Sequence, residues 1–190
     1  MTKIALFGTS ADPPTAGHQR ILLWLSDHYD KVVVWASDNP FKSHQTDLKH
    51  RYQMLKVLID EIQMSRQNID LYQHLSSRRT LETVFQAKQH WLNAEFTLVI
   101  GSDLGQQIQK WYKIDQLLKQ VNILIIPRPG YPINDEDLEA LRQFGTAVTV
   151  ASIMGLPVSS TDFREAGDCN ALTPLVQAYI YQEKLYESTP

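Results

Sequence analysis

The chain has 190 residues, a length that fits one domain with a real hydrophobic core. Hydrophobic residues make up 43% and charged residues 21%, which excludes a disordered tail or a collagen-like fibre, and no apolar run is long enough to span a bilayer. A net charge of −3 argues against nucleic acid as the main partner, and a lone cysteine, Cys169, excludes an internal disulfide and a thiolate zinc site.

The opening Met-Thr-Lys-Ile-Ala-Leu-Phe-Gly is too short an apolar stretch for a signal peptide, so a cytoplasmic protein without membrane association is expected. Residues 3–7, 31–36, 96–100, 122–126 and 147–150 read as strands, with 69–72 a weaker sixth. Val32-Val33-Val34-Trp35 and Leu124-Ile125-Ile126 are apolar without alternation, the pattern of strands covered on both faces. Met54, Leu55, Leu58, Ile59 and Ile62 recur at helical spacing, as do Leu81, Val84, Phe85 and Leu92. A last helix carries Leu172, Leu175, Val176, Tyr179 and Ile180, and Thr173-Pro174 supplies its cap and first turn. Alternating strands and helices predict an α/β fold, a doubly wound parallel sheet forming one domain over 1–190. Such a sheet binds ligands at the carboxyl ends of its strands, so the loops there carry the chemistry.

The first of these loops, Gly8-Thr9-Ser10-Ala11-Asp12-Pro13-Pro14-Thr15-Ala16-Gly17-His18, holds neither Gly-x-Gly-x-x-Gly nor the Gly-Lys-Ser/Thr of a P-loop. A nicotinamide-dependent dehydrogenase and a P-loop kinase are therefore not expected. Gly8 permits a sharp turn, Thr9 and Ser10 bring hydroxyls and amides to it, and Thr15 and His18 fall on one face of a helix start. Amides at such a start favour an anion such as phosphate. The plainer alternative makes Thr15 a cap and His18 a structural histidine.

Further along, Asn39-Pro40-Phe41-Lys42-Ser43-His44 follows the second strand, with Arg51 and Lys56 on the helix beyond, a pattern that also suits a solvated basic face. Arg78-Arg79-Thr80-Leu81-Glu82-Thr83 reads as a capped helix start with exposed charge. Gly101-Ser102-Asp103 places a carboxylate at a strand tip, where hydroxyls or capping amides are its usual donors. Trp111-Tyr112 offers aromatic surface for a flat ring or for the core. Near the end, Val158-Ser159-Ser160-Thr161-Asp162-Phe163-Arg164 sets three hydroxyls before a helix and a guanidinium one turn in.

Taken in order, these segments resemble the HxGH/TxGH nucleotidyltransferases, in the form found in nicotinate-nucleotide adenylyltransferases. Asp12-Pro13 and Gly17-His18 match the first motif, Thr15 stands at its first histidine, and Ala11 replaces its phenylalanine. Lys42 and Arg51-Tyr52-Gln53-Met54-Leu55 match the next segment, although its first proline is absent. Thr80 and Thr83 match Ser-Tyr-Thr-x-x-Thr-Leu, with Arg79 in place of the tyrosine. Gly101 and Asp103 match Gly-x-Asp, Trp111 heads a run ending at Leu117-Leu118, and Arg128-Pro129-Gly130-Tyr131 is identical to its counterpart. Ser160, Thr161 and Arg164 match Ile-Ser-x-Thr-x-x-Arg, and the matches extend from Phe7 to Tyr186.

The resemblance implies adenylyl transfer from ATP to nicotinate mononucleotide, giving deamido-NAD and pyrophosphate in NAD biosynthesis, in a Rossmann-like nucleotidyltransferase fold. By the same resemblance His18, Lys42 and Arg164 are catalytic. Gly8, Thr9, Ser10, Thr15, Gly17, His18, Gly101, Asp103, Ser160, Thr161 and Arg164 bind ATP. Lys42, Thr80, Trp111 and Tyr112 hold the mononucleotide, and Arg79 falls beside that substrate. Mg²⁺ arrives on the ATP phosphates, with no protein ligand assigned. Nicotinamide mononucleotide or pantetheine phosphate is the alternative acceptor, and a nucleotide-binding regulatory module of the same fold is the alternative outside catalysis.

Overall fold

Strands with no polar face need cover on both sides. The computed structural model, which describes residues 1–38, 46–105 and 107–186, supplies it. In chain order the elements are β1 (Thr2–Thr9), α1 (Ala16–His28), β2 (Lys31–Ala36), α2 (Leu48–Gln63), β3 (Ile69–Leu71), α3 (Thr80–His90) and β4 (Ala94–Gly101). They continue with α4 (Ile114–Leu118), β5 (Asn122–Ile126), α5 (Asp135–Arg142), β6 (Val148–Val150), α6 (Ser160–Ala166) and α7 (Pro174–Gln182).

The six strands form one sheet in the order β3-β2-β1-β4-β5-β6, and every pairing is parallel. This is the doubly wound α/β architecture expected. Alternate residues of β1 feed opposite cores. Ala5 and Phe7 pack with Leu22 and Leu25 of α1, Met54, Leu55 and Leu58 of α2, and Val176 and Ile180 of α7. Ile4 and Leu6 pack with Leu81 and Val84 of α3, Leu117 of α4 and Leu141 of α5. After β6 the chain thus returns to the α1/α2 face, where His50 Nδ1 meets the Tyr179 hydroxyl at 3.0 Å.

Strand lengths and helix faces differ in detail. β1 and β4 run beyond their apolar stretches, to Thr9 and back to Ala94, because neighbouring strands offer backbone partners there. Phe85 is 45% exposed, and Leu92, 84% exposed, lies beyond the end of α3. The buried stripe of that helix uses Thr83 instead, whose hydroxyl donates to the Leu75 carbonyl at 2.7 Å. A polar side chain satisfied in this way can take an inward position. Leu175 likewise faces out, while Val176 and Ile180 are buried. α7 opens as expected, with Thr173 at its cap and Pro174 first in the helix, and it ends at Gln182.

Candidate active site

β1 leads through α1 to one side of the sheet and β4 continues on the other, so the order reverses between them. Clefts form at the carboxyl ends of such a pair. The segment leaving β1 is shaped by close contacts. A Cβ at Gly8 would lie 2.5 Å from two ring carbons of Trp35, so only glycine lets β1 run past that indole. Ala11 is buried in the left-handed region (φ 49), and the Asp12–Pro13 bond is cis.

Thr15 caps α1, and His18, three residues on, turns back to it. The Thr15 backbone N–H donates to His18 Nδ1 at 3.0 Å, and the Thr15 hydroxyl lies 2.9 Å from the same nitrogen. An N–H donor requires a lone pair on Nδ1, so the ring carries its proton on Nε2 when neutral. Nε2 lies 2.9 Å from Thr9 Oγ1, at the end of β1. Helix capping thus sets the tautomer and the aim of the imidazole. Gly17 is buried beneath it, and a Cβ there would come within 3.3 Å of Thr15 Oγ1 and 3.4 Å of Val158.

The loop is held by residues far away in the chain. Arg51 is 3% exposed and donates to the carbonyls of Ser10 (2.9 Å), Ser37 (2.7 Å) and Thr46 (2.7 Å). Burial lowers its pKa, opposed by the nearby Asp12 carboxylate. Asp12 accepts from the Tyr186 hydroxyl at 2.6 Å and the Thr46 amide at 3.2 Å. Burial, then the bond to Asp12, raises the Tyr186 pKa, so that hydroxyl stays a donor. From the first residue of α6, Ser160 Oγ donates to the Pro13 carbonyl at 2.7 Å. Arg164 donates to the Asp12 carbonyl and, at 3.2 Å, to Thr161 Oγ1. Ser159 caps α6 by accepting from the Asp162 amide at 3.0 Å.

Two further groups lie at the other loops. Asp103 Oδ2 pairs with Arg128 Nη1 at 2.9 Å, where sequence reasoning expected hydroxyl or amide donors. A Cβ at Gly101 would meet Asp103 Oδ1 at 2.2 Å and Arg128 Cδ at 2.9 Å, so glycine is what lets this pair close. Ser102 Oγ links the same turn, accepting from the Arg128 amide at 2.9 Å and donating to the Tyr131 carbonyl at 2.8 Å. In the third group Arg79 precedes Thr80 at the start of α3, and its guanidinium lies 4.2 Å from the centroid of Tyr112. Trp111 packs partly against the second core, whereas Tyr112 is 45% exposed.

Thr9, Ser10, Thr15, Gly17, His18, Ser160, Thr161 and Arg164 are thereby brought into one group, Gly101 and Asp103 into a second, and Thr80 and Tyr112 into a third. Lys42, and the segment 39–45 around it, lie outside the described residues. Arg51 corrects the reading of a solvated basic face: it is a buried brace of the first loop, while Lys56 is exposed and pairs with Asp60 at 2.6 Å. Sequence reasoning also missed Tyr186 as the partner of Asp12 and Arg128 as the partner of Asp103. A buried acid in a loop needs a donor, but nothing local says that a tyrosine 174 positions away supplies it. Among the described residues, no three or more His, Cys, Asp or Glu cluster as metal ligands. No helix among them is long and apolar enough to cross a membrane.

The family model described as cytidylyltransferase-like matches residues 6–166. A Synechocystis sp. protein named "Probable nicotinate-nucleotide adenylyltransferase" is 42% identical, over 97% of this chain and 98% of its own. A Bacillus subtilis protein named "Nicotinate-nucleotide adenylyltransferase" is 27% identical, over 99% of this chain and 100% of its own. A solved Plasmodium falciparum nicotinic acid mononucleotide adenylyltransferase complexed with NaAD superposes with a TM-score of 0.83 at 23% identity, covering 98% of each chain. At that identity the likeness concerns the fold.

Proposed function

Since the chain belongs to the cytidylyltransferase-like family, we propose that it transfers the adenylyl group of ATP to nicotinate mononucleotide, giving nicotinate adenine dinucleotide and pyrophosphate. The observation that carries this reading is the closure of the first loop by α6. Ser160 and Arg164 bond to the Pro13 and Asp12 carbonyls across 147 and 152 positions, beside a histidine of fixed tautomer. The 42% identical relative and its printed name support the acceptor.

In the reaction a phosphate oxygen of the mononucleotide attacks the α-phosphorus of ATP in line. The new O–Pα bond forms as the bond from Pα to the bridging oxygen of the β-phosphate breaks, and that electron pair leaves with pyrophosphate. The attacking phosphate is already anionic, so no protein base and no covalent intermediate is required. Catalysis reduces to positioning and charge stabilisation. His18 presents Nε2–H, held by the Thr15 amide on the far nitrogen. Bound phosphate replaces Thr9 Oγ1 as the acceptor. Arg164, on α6, adds a guanidinium beside the same loop. Gly101 and Asp103 complete the ATP side, and Thr80, Trp111 and Tyr112 the mononucleotide side. Lys42 belongs with the phosphate-neutralising groups by motif alone. Mg²⁺ comes with the triphosphate, which supplies the oxygen ligands that this ion prefers. No protein ligand is assigned to it, and the reading includes a cytoplasmic enzyme, which a lone cysteine suits.

The test is pyrophosphate release from ATP and Mg²⁺, with nicotinate or nicotinamide mononucleotide offered separately at equal concentration. Faster release with the acid form is expected. Faster release with the amide refutes the acceptor, and ATP binding without release from either refutes the reaction.

A further inference from the structure

The contact between Arg79 and Tyr112 joins the two segments that the proposed reaction assigns to the mononucleotide. From it we propose that Arg79 is the residue that selects the acidic acceptor. Its guanidinium gives a pyridine-3-carboxylate a cationic partner that a carboxamide cannot exploit equally. The inference rests on the reading of the protein as a mononucleotide adenylyltransferase and names the side chain that sets acid against amide.

Arg79 occupies the position before α3 in an extended conformation (φ −125, ψ 114), so its side chain leaves at the helix start rather than along the helix flank. The guanidinium rests 4.2 Å from the Tyr112 centroid and Lys113 Nζ approaches the same ring at 5.3 Å. A ring that two cations approach attracts them by its quadrupole and leaves their N–H donors available to an anion. The only acid paired with Arg79 among the described residues is Glu82, at 3.4 Å. That pair is long and exposed, with side-chain exposures of 52% and 47%, so it is weak. The second oxygen of Glu82 accepts a 2.6 Å bond from Ser77 Oγ, which keeps that carboxylate at the helix start. A bound carboxylate can therefore take over the guanidinium at small cost. Planar guanidinium–carboxylate pairing is directional, whereas a carboxamide offers one neutral acceptor and an NH₂ that the cation repels. Glu82 opposes the acid form by like charge, so the two residues act in opposite senses.

The experiment compares wild type with Arg79→Gln, Arg79→Lys, Glu82→Gln and Arg78→Gln, reading kcat and KM for both mononucleotides and their affinities by calorimetry. The loss of one charged hydrogen-bond partner is expected to lower the acid-to-amide ratio of kcat/KM by about tenfold in Arg79→Gln. The change should fall in KM for the acid. Arg79→Lys should retain most of the ratio and Glu82→Gln should raise it. Arg78, one position away and paired with Asp38 at 3.2 Å, is the charge control and its replacement should leave the ratio unaltered. An unchanged ratio of affinities in Arg79→Gln, or an equal drop in Arg78→Gln, overturns the assignment. Calorimetry needs no turnover: a wild type that binds the acid preferentially but releases no pyrophosphate refutes the reaction and leaves Arg79 to be judged on its own affinity ratio.

Discussion

Replacing Arg51 by methionine keeps the length and apolar stem of the side chain and removes one guanidinium. Three carbonyls, of Ser10, Ser37 and Thr46, then lose donors at 2.7–2.9 Å. Each buried carbonyl without a donor costs about 1–3 kcal/mol. Some of that is recovered, because a cation no longer has to be desolvated and water reaches part of the gap. A net loss of about 3–5 kcal/mol follows, at the scale seen when one member of a buried charged network is removed. For a chain of this size it corresponds to a fall in Tm of roughly 10 °C or more. The assay is urea unfolding followed by far-UV circular dichroism, with KM for ATP measured in parallel, since the Ser10 carbonyl belongs to the phosphate loop. Lysine at the position should recover part of the loss, because an ammonium cannot span three carbonyls spread as these are. A loss under about 1 kcal/mol with KM for ATP unaltered would show that Arg51 braces nothing.

His18→Ala should lower kcat by on the order of 10²–10³, as for one preorganised donor, and should cost about 0.5–2 kcal/mol of stability through the broken capping box; an unaltered kcat removes His18 from the mechanism. Gly8→Ala drives a methyl against the Trp35 ring at 2.5 Å, and a destabilisation of about 1–3 kcal/mol is expected in urea unfolding; no change would mean that the indole yields freely. Tyr186→Phe deprives the buried Asp12 of its 2.6 Å donor and should cost about 1–3 kcal/mol at neutral pH. The pH dependence has a defined sign. The folded state holds the Tyr186 proton more tightly than the unfolded chain, whose value is near 10.0, so this stabilisation is full below that pH and lost progressively above it. Stability should therefore fall less between about pH 9 and 11 in the variant than in wild type, and equal slopes would contradict the raised pKa.

The sheet was legible because its strands report their own surroundings. Val32, Val33 and Val34 are all fully buried, as an unbroken β-branched run implies for a strand covered on both faces. Helix faces were less legible. The period placed Phe85 inward, but Thr83 is the buried residue, made tolerable by a bond to Leu75 that no local pattern announces. Within the site, capping and turn chemistry act over three or four residues, so the segments around Thr15, His18, Ser160 and Arg164 could be read as helix starts that suit an anion, and the family resemblance assigned them to ATP.

Partners were a different matter. Arg51 looks like any helix arginine until its three carbonyls are in place, and Asp12 like any loop acid until Tyr186 reaches it. Local sequence determined which elements form and which loops carry hydroxyls, glycine and a histidine at a helix start, and the order of those motifs carried the family resemblance. Tertiary structure alone decided which charges are buried, that α6 seals the first loop, and that Arg79 lies on Tyr112. Short-range periodicity and capping are written in neighbouring residues. The partner of a buried charge is fixed only when the sheet brings distant segments within hydrogen-bond range.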